Sequence, residues 1–216
     1  MARINLDDDM NYIDIEKTKQ EKRPPEVSGK KKKKKNRKKG LNRFLMDSLY
    51  VLTVLILAVI FVKYVAQRTT VIGSSMEPTL SDGDNLIVDK LSYMLGDPER
   101  FDVIVFPFQY EENTYYIKRV IGLPGETVQI DKDGVIYING EILTENYGAA
   151  VMADPGNAVK PMTLGPDEYF VLGDNRNHSS DSRTEAVGLI KKEDILGRAW
   201  LRIWPVNKLG FVKQGK

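Results

Sequence analysis

Three polarity patterns divide this chain. Residues 1–43 contain few apolar residues and no sustained period. Leu49–Val62 is apolar apart from Tyr50 and Thr53, and its flanks extend the segment to Phe44–Ala66. Beyond it, short apolar runs alternate with Gly, Pro, Asn and Asp. The first pattern cannot bury enough surface to offset the entropy of ordering, so 1–43 is expected to be a disordered basic tail. A helix over 44–66, rising about 1.5 Å per residue, covers a bilayer core of about 30 Å, so that segment is expected to span a membrane. The third pattern predicts strands at Asn85–Asp89, Phe101–Phe106, Thr127–Ile130, Val135–Ile138, Glu141–Leu143, Tyr169–Leu172 and Ala199–Trp204. Asp133-Gly134 and Asn139-Gly140 favour primed hairpin turns. Residues 144–166, rich in Pro, read as a long surface stretch within an inserted excursion at about 127–166. Residues 67–216 are thus expected to form one all-β, antiparallel domain.

Charge sharpens this division. Lys and Arg outnumber Asp and Glu by 16 to 8 through residue 63, whereas beyond it the count is 16 against 22. A basic arm, an apolar segment and an acidic body describe a membrane protein rather than a nucleic-acid binder. The basic flank precedes the apolar segment, so the N-terminus is expected to stay cytoplasmic and the body to be translocated. Ala66 is the nearest end for a cleaved leader, but Tyr64 at its −3 position is too large, so an uncleaved anchor is expected. Lys30–Lys39, basic except for Asn36, can also meet anionic lipid at about 1 kcal/mol per charge.

Composition then narrows the chemistry. The chain has no cysteine and one histidine. Thiol nucleophiles and disulfides are excluded, and no metal or cofactor is implied. Gly73-Ser74-Ser75-Met76-Glu77-Pro78 leaves an apolar run and turns, which can hold a serine rigidly in the open. A serine needs a base, and with histidine scarce, lysine is a contender. In a strand, Tyr116, Lys118 and Val120 share one face, an apolar setting that lowers a lysine pKa. Taken alone, the serine is also an ordinary turn residue and the lysine an ordinary surface charge. The polar run Gly173–Arg183 contains His178, which leaves a Ser75–His178–Asp triad open.

Taken together, the anchor and the segments Gly73–Leu80, Gly83–Lys90, Tyr116–Glu126 and Gly173–Arg183 resemble bacterial type I signal peptidases of Gram-positive kind, which use a Ser–Lys dyad. The resemblance covers most of residues 45–204. It implies a membrane-bound serine endopeptidase that removes signal peptides from exported preproteins and cleaves after small residues. By position it makes Ser75 the nucleophile and Lys118 the general base. It puts Ser179 where a serine orients the lysine, and Asp181 and Arg183 at ion-pair positions shared with Arg119. Gly73 falls where some members have an oxyanion-hole hydroxyl, so the hole should rest on backbone groups such as Ser75 N–H. Val71, Ile72, Met76, Leu80, Tyr116 and Ile117 are expected to line shallow substrate pockets. Asn177-His178 departs from the family's Asp-Asn. Two other readings stand beside this one. They are a self-cleaving Ser–Lys protease of the SOS-repressor type and a non-enzymatic tethered β-domain that binds lipid or partners.

Overall fold

The computed structural model describes residues 29–214. The tail expected over 1–43 lies outside them up to residue 28. From there the chain is helical: helix α1 begins at Gly29 and runs to Tyr64. Lys and Arg are good helix formers, and extending a helix costs far less than nucleating one, so the apolar segment can carry its basic flank with it. Within α1, Asn42–Val59 has a mean hydropathy of 1.6 and is long and apolar enough to cross a membrane. The chain separates into two units, one through Val54 and one from Leu55.

The remainder is antiparallel sheet, as expected. The strands are β1 (Ala66–Thr70), β2 (Asn85–Asp89), β3 (Val103–Pro107), β4 (Tyr115–Gly122), β5 (Thr127–Ile130), β6 (Ile136–Ile138), β7 (Glu141–Ile142), β8 (Met162–Thr163), β9 (Glu168–Leu172), β10 (Ile190–Lys191), β11 (Gly197–Trp204) and β12 (Gly210–Phe211). The larger sheet has the order β1-β2-β11-β3-β4-β9-β10, with β12 on β11, and the smaller has the order β7-β6-β5-β8. Ala66 therefore opens a strand instead of closing the helix. Its strand, Ala-Gln-Arg-Thr-Thr, is an edge strand paired with β2 and is too polar for its pattern to announce it.

Asn139-Gly140 makes the primed turn, with φ of 54° and 86°. At Asp133-Gly134 only the glycine is left-handed, because Asp131 organises this turn: its carboxylate accepts from the backbone of Asp133 and Val135. Part of the supposed surface stretch is core. Met152, Ala158 and Leu164 are buried with Val128, Ile130 and Phe170. A second cluster sets Val71, Met76 and Leu80 against Leu86, Val88, Val103 and Val105. This packing anchors both ends of the Gly73–Ser75 turn.

Candidate active site

The turn is tied down from outside as well. Val71 N–H donates to Asp84 O, Leu80 N–H to Met76 O, and Asn175 N–H to Ser75 O at 3.0 Å. The Asn175 side chain donates to Ser74 O. Gly73 takes φ of 90°, where a side chain would be strained, and its N–H donates to Asp82 Oδ1 at 2.8 Å. That amide is therefore used, whereas Ser75 N–H bonds to nothing else among the described residues.

Lys118 reaches this turn from β4. Its Nζ lies 2.8 Å from Ser75 Oγ and 3.0 Å from Ile117 O, and 5.0 Å from the centroid of the Tyr116 ring. It is 4% exposed and has no carboxylate partner among the described residues. Burial lowers its pKa from 10.5 to about 8, against the pull of the Asp181 and Asp174 charges. A lysine held this way supplies a lone pair at modest pH, and it sits within proton-transfer distance of a hydroxyl.

The neighbouring cation is handled in the opposite way. Arg119 is fully buried and its guanidinium grips Asp174 with two bonds, of 2.8 and 2.7 Å. It also donates to Phe101 O and Lys213 O, and the Tyr147 ring lies 3.8 Å from its Cζ. Thr79 Oγ1 donates to Asp174 at 2.5 Å, which couples this pair to the serine turn. Asp181 holds Arg183 at 2.8 Å and accepts from Gly173 N–H. The Asp181–Arg183 pair is therefore separate from Arg119, contrary to expectation. Arg119 on β4 and Arg183 in the loop after β9 are both buried and each needs its own partner; Asp174 faces the first and Asp181 the second.

Other expectations divide. Val71, Ile72, Gly73, Met76, Tyr116 and Ile117 line a cleft of about 620 Å³ with Ser75 and Lys118. Leu80 does not, being fully buried beneath the turn. Ser179 Oγ is buried without a partner among the described residues and makes no bond to Lys118, whose Nζ is directed at Ser75 Oγ and Ile117 O instead. His178 is exposed on the cleft, but its ring bonds to no carboxylate, so no triad is assembled. Asn177 ties its loop to the inserted sheet, accepting from Ala153 N–H and donating to Val151 O.

Residue-level reasoning passed over Gly173, Asp174, Asn175 and Thr79 as site residues. A side chain at Gly173 would collide with Ser179 Oγ and come within 2.5 Å of Ser75 O. The available signal was a Gly-Asp directly after the apolar strand at 169–172.

The family model for signal peptidase, peptidase S26, matches residues 41–204. This chain belongs to that family. A probable signal peptidase I-2 of Synechocystis is 42% identical over 165 residues, 74% of this chain and 73% of its own length. The signal peptidase I of Leptolyngbya laminosa is 44% identical over 154 residues, 68% and 73% of the two chains. That of Bacillus licheniformis is 38% identical over 170 residues, 74% and 85%. The peptidase is therefore a hydrolase, which leaves the non-enzymatic reading without support.

Proposed function

We propose that Ser75 and Lys118 are the nucleophile and general base with which this serine endopeptidase removes signal peptides from preproteins, after small residues. The carrying observation is the 2.8 Å contact between Ser75 Oγ and a buried, carboxylate-free Lys118 Nζ. Neutral Lys118 takes the hydroxyl proton as Oγ attacks the scissile carbonyl. The developing oxyanion draws on Ser75 N–H. Lys118 then gives its proton to the leaving amine, which leaves an ester on Ser75. The same nitrogen next activates water to hydrolyse that ester.

The supporting shell has assigned roles. Ser179, whose buried Oγ is unpartnered among the described residues, is free to accept from Lys118 Nζ once that nitrogen carries the serine proton. Arg119, Asp174, Asp181 and Arg183 hold the loop against the serine turn. Val71, Met76 and Ile117 wall a shallow pocket for the residue before the cleaved bond. Residues 44–64 anchor the enzyme with its basic end cytoplasmic and its β-domain outside, and the 30–39 run meets anionic lipid rather than nucleic acid.

The test is cleavage of a labelled preprotein by the detergent-solubilised peptidase beside Ser75→Ala and Ser74→Ala. The first should be inactive and the second should retain much of the activity. Inactivity confined to Ser74→Ala would shift the nucleophile by one residue.

A further inference from the structure

The active-site cleft changes character along its length. Around Ser75 its lining mixes apolar Val71, Met76, Val105 and Ile117 with polar Ser74, Lys118, His178 and Ser180. Its far end is lined by Thr69 and Thr70 of β1 and by Asn113, Thr114 and Tyr115, where β4 begins. The side chains of Thr69, Asn113 and Thr114 make no hydrogen bond within the chain among the described residues, so their polar groups remain available to an occupant or to water. Asn113 is held at φ of 61° where the β3–β4 connection returns to β4, and Thr114 O accepts from Phe108 N–H, so this end is built and not frayed.

Register assigns the substrate positions. Tyr115–Lys118 pairs with β3 on one side, and pairing with β9 starts only at Arg119, which leaves the other edge of this stretch open. An extended substrate alongside it advances at the strand's own rise of about 3.3 Å per residue. With the residue before the cleaved bond level with Lys118, the fifth residue before that bond lies level with Thr114 and the sixth with Asn113.

Resting on the proposed function above, the geometry points to Thr69, Asn113 and Thr114 as a polar specificity subsite for the fifth and sixth residues before the cleaved bond. A preprotein leader carries an apolar run of about 7–15 residues ahead of a small-residue cleavage site. If that run reached the far end of the cleft, it would strip water from these three side chains and give nothing in return. The subsite therefore enforces a minimum spacing of about five residues between the apolar run and the bond that is cut. It acts on binding, because it is remote from Ser75 Oγ.

The test uses the full-length peptidase in detergent and a preprotein series that differs only at −5 and −6, Ser-Ser against Leu-Leu. A second series varies +4 and +5. The wild type should favour Ser-Ser by about tenfold in kcat/KM, mostly through KM. Thr69→Val with Thr114→Val should narrow the ratio to about threefold or less, while Thr114→Ser keeps it. Thermal midpoints of all variants are compared, so a folding defect would be seen directly. An undiminished ratio in the double-valine variant, no preference in the wild type, or a preference that appears at +4 and +5 instead would overturn the subsite. A wild type that cuts no preprotein would overturn the proposed function, and the subsite with it.

Discussion

Lys118 and Arg119 are consecutive cations on one strand, and the fold treats them oppositely. Arg119 is wholly enclosed and meets a carboxylate, two carbonyls and an aromatic face. Lys118 is almost as enclosed, yet it meets a hydroxyl, one carbonyl and the Tyr116 ring, and no carboxylate among the described residues. A buried charge with a full set of partners stiffens the fold. A buried charge without a carboxylate pays with stability for a lone pair that chemistry can use. Alternation along β4 makes the contrast possible, because adjacent side chains leave a strand on opposite faces.

The most damaging way to break the contrast is to make Lys118 resemble its neighbour. Arginine cannot lose its proton in a protein, so Lys118→Arg leaves a permanent cation beside Ser75. Cleavage should fall by about 10⁴-fold, the scale seen when a member of a catalytic set is lost. Single-turnover assays with excess enzyme check this, and activity within tenfold of wild type would remove Lys118 as the base.

The next largest effect comes from stripping Arg119. Asp174→Asn leaves a guanidinium with no carboxylate at a fully buried site, at a cost of about 3–5 kcal/mol. It also weakens the Thr79 contact that ties the serine turn to the loop. Urea unfolding should register the loss, and activity should recover partly on cooling as the folded fraction rises. Unchanged stability would show that Asp174 is dispensable to the pair.

The third effect has the opposite sign. Folded Lys118 titrates near 8 and unfolded lysine near 10.5. Between those values the unfolded chain binds a proton that the folded chain does not, so stability drops as pH falls from 10.5 to 8. Below 8 the penalty is constant, at about 3 kcal/mol for a shift of this size. Lys118→Met should therefore stabilise the inactive protein at pH 7, and the gain should vanish as pH approaches 10.5. In the wild type, the cleavage rate should rise about tenfold from pH 7 to 9 as the neutral form fills, then level off. A rate flat across that range would contradict a desolvated lysine base.

Legibility in the sequence followed the same physics. Strands buried along most of their length, such as Asn85–Asp89 and Tyr169–Leu172, announce themselves by β-branched and aromatic runs. β1 does not, because an edge strand beside a cleft can be polar throughout. The serine turn and Lys118 could be singled out as chemistry open to a chain with one histidine. Choosing between Ser74 and Ser75 took the family pattern, because spacing alone says nothing about which hydroxyl faces the lysine. The partner of Arg119 was out of reach for a related reason. Asp174 and Asp181 stand seven residues apart on one polar loop, and only the fold decides which carboxylate each arginine meets.

The smallest expected effect is at His178, and it tests whether the active site contains one base or two. His178 lines the cleft, and histidine is the usual partner of a nucleophilic serine. Here, however, its ring bonds neither to Ser75 nor to a carboxylate that would orient it, whereas Lys118 already occupies the 2.8 Å position at Ser75 Oγ. The backbone of His178 serves the loop by donating to Asn175 O, and any residue can do that. His178→Ala should then keep kcat within about twofold and leave the alkaline rise untouched, because proton transfer runs through Lys118. The measurement is a pH–rate profile of His178→Ala beside the wild type. A loss of 100-fold or more, with the rise near pH 8 abolished, would make the histidine the base and reduce Lys118 to a buried bystander.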